Sequence, residues 1–299
     1  MHNAAFAALS LNWRYLAFEV HPDELRATID GARAMNFVGL NLTVPHKLLA
    51  VDIVDALDES AKRWGAVNTI RFEPTTASGQ MEIHAVGFNT DADAIVAALR
   101  EELKLELRGA KVLLLGAGGA GRTAALRLAS EKVAELYLVN RTESKADAIA
   151  GEIKEDFFSA RVVVGYPPGG VDLVINATSL GLKEDDPSPL DEAQFPLRQA
   201  RAVYDMIYRP AETALLRAAK AACCKTANGL GMLLHQGAKA FEIWTGQPAP
   251  LDIMRAALEA EVYRSTAASP QSIVSSPRSA VGSPESAAST PQSKAKKEG

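Results

Sequence analysis

Lys111-Val112-Leu113-Leu114-Leu115-Gly116-Ala117-Gly118-Gly119-Ala120-Gly121 is the stretch on which the fold turns. Val112 to Leu115 run without polar alternation, the pattern of a strand buried on both faces of a parallel sheet. Glycines follow at once in the spacing G-x-G-x-x-G, and helix formers continue from Thr123 to Ser130. The spacing alone is weak and also describes a glycine-rich turn with no ligand. Its place between a strand and a helix is what makes it a dinucleotide signal. Gly116 permits the tight turn, Gly118 lets backbone approach a pyrophosphate, and Gly121 lets helix and strand pack closely. Gly116, Ala117, Gly118, Gly119 and Ala120 then form a cofactor cradle at a helix N-terminus, whose free N–H groups suit phosphate.

The next strand, Glu135-Leu136-Tyr137-Leu138-Val139, ends in Asn140-Arg141-Thr142, with Lys145 one turn on. An enzyme for NAD usually places an acid at this strand end to meet the ribose 2′-hydroxyl. A guanidinium there suits a 2′-phosphate instead, and a carboxylate would repel it. Glu143 lies in the first turn of the following helix, where an acid complements the helix dipole. NADP is therefore the expected cofactor, read by Asn140, Arg141, Thr142 and Lys145.

Outward from this unit the strands Arg161–Val164, Leu173–Asn176 and Ala202–Met206 alternate with helices, which implies a parallel sheet covered on both faces. Before it lie shorter elements. Tyr15–Val20 reads as a strand, Pro22 sits in the first turn of a helix, and Val38–Thr43 is a strand stopped by Pro45. Ala66–Phe72 and Met81–Val86 read as a strand pair around Ser78-Gly79, and a helix follows from Asp91 to Glu102. Two helical segments from Met232 to Val262 return to pack on the first domain. After Arg264 the composition collapses to Ser, Ala, Pro, Gly and Lys, too poor in apolar groups to offset its ordering entropy. The expected organisation is α/β with two α/β domains. One domain spans 1–103 with the returning helices 232–263, the other spans 104–231, and 265–299 is a disordered tail.

Composition sets limits on function. The chain has 299 residues, 47% hydrophobic and 23% charged, with net charge −4 and both signs well mixed. That leaves no basic footprint for nucleic acid. No apolar run reaches the length of a membrane span, and Met1-His2-Asn3-Ala4-Ala5-Phe6 is not a secretory signal. Cys223 and Cys224 are adjacent, so neither a disulfide nor a metal site is expected, and a reducing cytoplasm suits them. His2, His21, His84 and His235 are scattered and suggest no metal, and His46 beside Pro45 reads as structural.

Two polar segments stand where strands end: Asn41-Leu42-Thr43-Val44-Pro45-His46-Lys47 and Gly87-Phe88-Asn89-Thr90-Asp91. A lysine and an aspartate at a cleft could form a charge-assisted pair suited to moving one proton during carbonyl reduction. On spacing alone a solvated lysine and a helix N-cap is the better reading of the two.

At these residues the chain resembles the shikimate dehydrogenase family. Asn41–Lys47, Gly65-Ala66-Val67-Asn68-Thr69 and Asn89-Thr90-Asp91 look like that family's substrate-domain motifs, in order. Gly116–Ala120, Asn140–Thr142, Asn176-Ala177-Thr178, Tyr204-Asp205-Met206-Ile207-Tyr208 and Asn228-Gly229-Leu230-Gly231-Met232 match the later motifs, with Gln236 and Trp244-Thr245-Gly246 completing the set. The resemblance implies an N-terminal substrate-binding domain and a C-terminal Rossmann-type NADP-binding domain. It implies the reversible conversion of shikimate and NADP⁺ to 3-dehydroshikimate and NADPH, a step toward chorismate and the aromatic amino acids. Lys47 would be the general acid/base, with Asp91 orienting it. Thr43, Asn68, Tyr208 and Gln236 would join that pair in holding the substrate, and Glu59, Thr178, Met206 and Gly229 would lie on the cofactor side.

One departure stands out. Family members normally begin with a strand and a Ser-x-Ser-Pro segment whose serines bind the substrate carboxylate, and Met1–Phe6 looks like the helix after it. An N-terminally truncated member is the expectation. A quinate/shikimate dehydrogenase using NAD and a non-catalytic ligand sensor of the same fold remain alternatives, and a sensor would have no need of both Lys47 and Asp91. The residues leave monomer and homodimer equally open, with a small-molecule substrate as the one partner implied.

Overall fold

Buried strands need backbone partners on both sides, and the apolar run at Lys111–Leu115 obtains them. In the computed structural model, which describes residues 1–76, 81–157 and 160–264, a four-stranded sheet precedes a six-stranded one. The predicted tail, 265–299, and the turn at Ser78-Gly79 lie outside the described residues.

The first sheet is built from short elements. α1 (His2–Ala8) and α2 (Leu25–Ala34) lead to β1 (Gly39–Asn41), then α3 (His46–Leu49), β2 (Ala56–Leu57) and α4 (Glu59–Trp64). β3 (Thr69–Thr75) and β4 (Glu82–Phe88) pair antiparallel, as their alternation predicts, and α5 (Asp91–Leu103) follows. The sheet order is β1-β3-β4-β2, with β2 parallel to β4. Pro22 opens a short 3-10 turn ahead of α2, and the His21 ring caps it by accepting from the Asp23 N–H.

The predicted strand at Tyr15–Val20 does not form. The side chain of Asn3 binds both backbone groups of Tyr15, accepting its N–H at 2.7 Å and donating to its carbonyl at 3.0 Å. Those groups are satisfied by an amide side chain rather than by a neighbouring strand, so no ladder is needed to avoid an orphaned donor. β1 pairs on one side, with β3.

The second sheet is parallel throughout. β5 (Lys111–Leu115), α6 (Gly119–Ser130), β6 (Glu135–Val139), α7 (Glu143–Asp156) and β7 (Arg161–Val164) form one half. β8 (Val171–Asn176), β9 (Ala200–Asp205), α8 (Ala214–Ala221) and β10 (Lys225–Asn228) form the other, in the order β10-β9-β8-β5-β6-β7. α6 begins at Gly119, before its apolar face, because the glycine loop itself turns into the helix. β10, which mixes Lys, Thr, Ala and Asn, carries no apolar signal and was not foreseen.

α9 (Leu230–Thr245) and α10 (Leu251–Arg264) then return to the first half. α9 packs along α5. Leu230, Leu234, Ala238 and Phe241 of α9 share a buried cluster with Phe6 of α1 and with Met254 and Leu258 of α10. A fully buried side chain of this size contributes about 1.5–3 kcal/mol, which is what holds the returning helices. Trp244 donates its indole N–H to the Ile70 carbonyl at 2.9 Å, fixing the end of α9 to β3.

Candidate active site

The cis peptide bond at Val44-Pro45 turns the chain directly into α3, so Lys47 stands on a short helix rather than at a strand end. Asp91 is the first residue of α5, just past the end of β4. Lys47 Nζ donates to Asp91 Oδ2 at 2.7 Å, with the two side chains 27% and 14% exposed. That is burial enough to strengthen the charge-assisted bond and openness enough for a small molecule to reach the ammonium.

The other oxygen of Asp91 is also committed. Asn68, buried just before β3, donates Nδ2 to Asp91 Oδ1 at 2.9 Å and to Thr90 Oγ1 at 2.9 Å. Its Oδ1 accepts the Thr90 backbone N–H at 2.8 Å, which fixes which end of the amide faces Asp91. Thr69 and Asn41 extend the network: Thr69 Oγ1 donates to Asn68 Oδ1 at 3.3 Å, and Asn41 Nδ2 donates to Thr69 Oγ1 at 2.9 Å. Tyr15 donates to Asn41 Oδ1 at 3.0 Å, and burial raises its phenol pKa above the ordinary value. Asn41, Thr69 and Tyr15 were missed as contributors. Asn41 and Thr69 show only as polar residues inside a motif, which spacing does not distinguish from surface, and Tyr15 falls in a stretch that reads as a strand.

Among the other expected substrate contacts, Thr43 is exposed beside the cis proline, while Tyr208 and Gln236 are partly buried. Gln236 donates to the Leu233 carbonyl at 2.9 Å within its own helix. His46 has its Nε2 buried without a partner.

The cradle at the end of β5 has the shape its glycines predict. Gly116 adopts φ +105°, and a Cβ there would stand 2.9 Å from the Ala177 backbone. Asn140 Oδ1 accepts the Ala117 N–H at 3.0 Å and Asn140 Nδ2 donates to the Thr142 carbonyl at 2.7 Å, tying the glycine loop to the end of β6. Arg141, Thr142 and Lys145 are exposed there, and among the described residues neither Arg141 nor Lys145 enters an ion pair. The two cations are free to meet an anion.

Across the cradle, a buried pair organises two further loops. Asp205 at the end of β9 accepts from Asn176 Nδ2 (2.9 Å), Thr213 Oγ1 (2.6 Å) and the Ile207 N–H (3.0 Å). Burial raises its pKa even so. Asn176 Oδ1 in turn accepts the Thr178 N–H at 2.9 Å and the Thr178 hydroxyl at 2.7 Å. One pair thus places Thr178 and the Met206-Ile207 turn. Gly229 lies so close to this turn that a Cβ would fall 1.9 Å from the Met206 carbonyl oxygen. Glu59 is not drawn into either group: it is exposed at the start of α4 and pairs with Lys62 at 2.7 Å.

The family model described as the shikimate dehydrogenase substrate binding domain matches residues 1–70. Shikimate / quinate 5-dehydrogenase matches 98–179, and the shikimate 5'-dehydrogenase C-terminal domain matches 229–259. The chain is 41% identical over 267 residues to shikimate dehydrogenase (NADP(+)) of Methanopyrus kandleri, covering 86% of this chain and 89% of that one. The fold is similar to a crystal structure of a shikimate dehydrogenase in complex with NADP⁺ (TM-score 0.78, 38% identity, 87% and 89% covered). It is also similar to the ligand-free form of 5-ketofructose reductase of Gluconobacter sp. (TM-score 0.74, 33% identity, 87% and 91% covered). Among the described residues no helix is long and apolar enough to cross a membrane.

Proposed function

The chain belongs to the shikimate dehydrogenase family, and from that premise we propose that it reduces 3-dehydroshikimate reversibly to shikimate with NADPH, using Lys47 and Asp91 to handle the proton. The observation that carries this reading is the 2.7 Å Lys47–Asp91 contact, held from behind by Asn68. A ligand sensor would need shape and hydrogen bonds but no such pair.

The residues fit the cofactor. The Gly116–Ala120 loop leaves room for a pyrophosphate against the start of α6, and Arg141 and Lys145 offer two unpaired cations for a 2′-phosphate. Gly229, pressed against Met206, lets the Met206–Tyr208 turn line the cleft from the far side, and Thr178 faces it from the adjacent strand end. NADPH, when bound, supplies the hydride for the substrate carbonyl carbon.

Lys47 does the remaining chemistry. As the carbonyl is reduced, its ammonium gives a proton to the developing alkoxide, and in the reverse direction the neutral amine takes it from the hydroxyl. Asp91 holds the ammonium in place and balances its charge, while Asn68 keeps the carboxylate from turning away. Thr43, Tyr208 and Gln236 supply polar groups for the substrate's hydroxyls and carboxylate, while Asn68, whose two N–H groups go to Thr90 and Asp91, acts through Asp91. Glu59 has no comparable support, since its contacts lie on its own helix. Two adjacent free cysteines suit a reducing compartment, and we place the enzyme in the cytoplasm.

The test is a spectrophotometric assay crossing shikimate and quinate with NADP⁺ and NAD⁺, and 3-dehydroshikimate and 5-ketofructose with NADPH. Turnover highest with shikimate and NADP⁺ is expected. Failure to turn over shikimate with either cofactor overturns the reading, and preference for quinate with NAD⁺ transfers it to the other dehydrogenase.

A further inference from the structure

Trp64 closes α4 on the substrate side of the molecule, and its indole is buried in a cluster that takes in α5 as well as helices of the other domain. It shares a hydrophobic cluster with Ala124, Ala125 and Leu128 of α6 and Ile153 of α7. The guanidiniums of Arg63 and Arg127 lie 5.0 and 6.0 Å from its ring centroid. Its backbone carbonyl accepts from Arg122 Nη1 at 2.8 Å. Arg122 stands in α6, directly after Gly121 of the glycine loop. Its remaining nitrogens grip both oxygens of Glu152 on α7, Nε at 2.9 Å from Oε2. One planar fork therefore joins the helix behind the glycine loop, the helix that follows Arg141, and the end of α4.

What α4 leads into gives the contact its meaning. Gly65, at φ +62°, ends the helix and turns the chain beneath the guanidinium, which would lie 3.4 Å from a Cβ there. The next three residues each hold part of the proton-handling machinery. The Ala66 carbonyl accepts from Asn89 at 3.1 Å, the Val67 N–H donates to the Lys47 carbonyl at 2.9 Å, and Asn68 binds Asp91. From the Arg122 contact to the Lys47 backbone is a path of three residues.

We propose that Arg122 is a positioning residue that sets the distance between the Lys47–Asp91 pair and the cofactor cradle, acting through the Trp64 carbonyl and the 65–68 segment. The proposal rests on the reading of that pair as catalytic. Cofactor and substrate are held by different domains, and hydride transfer requires their reacting atoms to come within about 3–3.5 Å. Packing alone leaves a domain interface free to slide. A charge-assisted bond to the Trp64 carbonyl, next to the 65–68 segment, removes that freedom at the place where it matters.

The experiment uses the full chain with Arg122→Lys and Glu152→Gln. A lysine keeps the charge but cannot serve Glu152 and the Trp64 carbonyl together. A glutamine leaves Arg122 in place but loosens its fork. For Arg122→Lys, kcat should fall about 10- to 100-fold while KM for shikimate and NADP⁺ stays within about three-fold. The deuterium isotope effect on kcat, with shikimate labelled at the carbon that is oxidised, should rise as hydride transfer becomes limiting. Glu152→Gln should move both in the same direction by less, and it decides the matter if Arg122→Lys does not fold. A purely structural role would lower the melting temperature and leave the isotope effect unchanged. Wild-type kcat and isotope effect in the folded variants overturn the positioning role alone. A wild-type chain inert toward shikimate overturns the catalytic reading and this role with it.

Discussion

Lys47 and Asp91 are 44 positions apart in the chain and 2.7 Å apart in space, and each comes from the first turn of a helix that follows a strand of the same sheet. The backbone of each residue is anchored where the pair forms. The Lys47 carbonyl is held by the Val67 N–H at 2.9 Å, and the Asp91 N–H is held by Asn89 Oδ1 at 3.1 Å.

Removing the proton donor should therefore cost rate rather than structure. Lys47→Ala is expected to lower kcat by roughly 10²–10⁴, the usual range for a lost general acid/base, with a smaller change in KM. Steady-state kinetics alongside a melting curve checks this. A variant that is folded and keeps wild-type kcat would show that Lys47 does not shuttle the proton.

Cofactor choice is expected to reside in Arg141, which is exposed at the end of β6 beside the loop that Asn140 secures. Arg141→Ala should weaken NADP⁺ by about 1.5–3 kcal/mol, the value of a hydrogen bond to a charged group. NAD⁺, without the 2′-phosphate, should bind as before. Titration with both cofactors decides it, since equal losses would mean that the arginine supports the loop and reads nothing.

Gly229→Ala should destabilise the protein through a single carbonyl. Its Cβ would stand 1.9 Å from the Met206 oxygen, so β9 and the start of α9 must separate. Overpacking of this kind costs about 1–3 kcal/mol, and the displaced turn should also weaken NADP⁺ binding. An unchanged denaturation midpoint with unchanged NADP⁺ affinity would refute the close-packing account.

Acid should loosen the N-terminal helix through His2. Burial holds its imidazole near pKa 4 against the ordinary 6.5, although Nε2 faces the Gly237 carbonyl at 3.0 Å. The unfolded chain then takes up a proton before the folded one does as pH falls. The stabilisation is complete above pH 6.5 and declines toward pH 4, by up to about 3 kcal/mol for a shift of this size. His2→Gln keeps a donor for Gly237 and should show a flatter decline between pH 6.5 and pH 4. Parallel stability profiles for the two proteins would rule out His2 as the source.

Some of this was legible before any coordinates, for a physical reason in each case. Val112–Leu115 has no polar residue to expose, so the strand had to be buried, and the glycines between it and a helix point to a turn that a phosphate approaches closely. The order of strands and helices from Lys111 to Asn176 follows from local apolar pattern, which needs no distant partner to be read. Lys47 and Asp91 were singled out, yet as a pair they rested on resemblance, because nothing local distinguishes a cleft lysine from a solvated one.

What the chain alone determined is the set of local choices: the glycine turn, the cation-bearing strand end, the helix that Asp91 begins, and the proline that stops a strand just ahead of Lys47. Tertiary structure alone decided which backbone groups found partners and where. Tyr15 reads as a strand residue but gives its hydrogen bonds to Asn3, because a strand is defined by its neighbour and not by its own side chains. Arg122 reads as an ordinary helix cation, and only folding sets its guanidinium against Glu152 and a carbonyl 58 positions away. Asn176 and Asp205 likewise become one unit only when β8 and β9 align in parallel. Propensity and pattern act over a few residues, whereas the distance between a proton donor and a cofactor cradle is fixed by contacts between residues that the sequence keeps far apart.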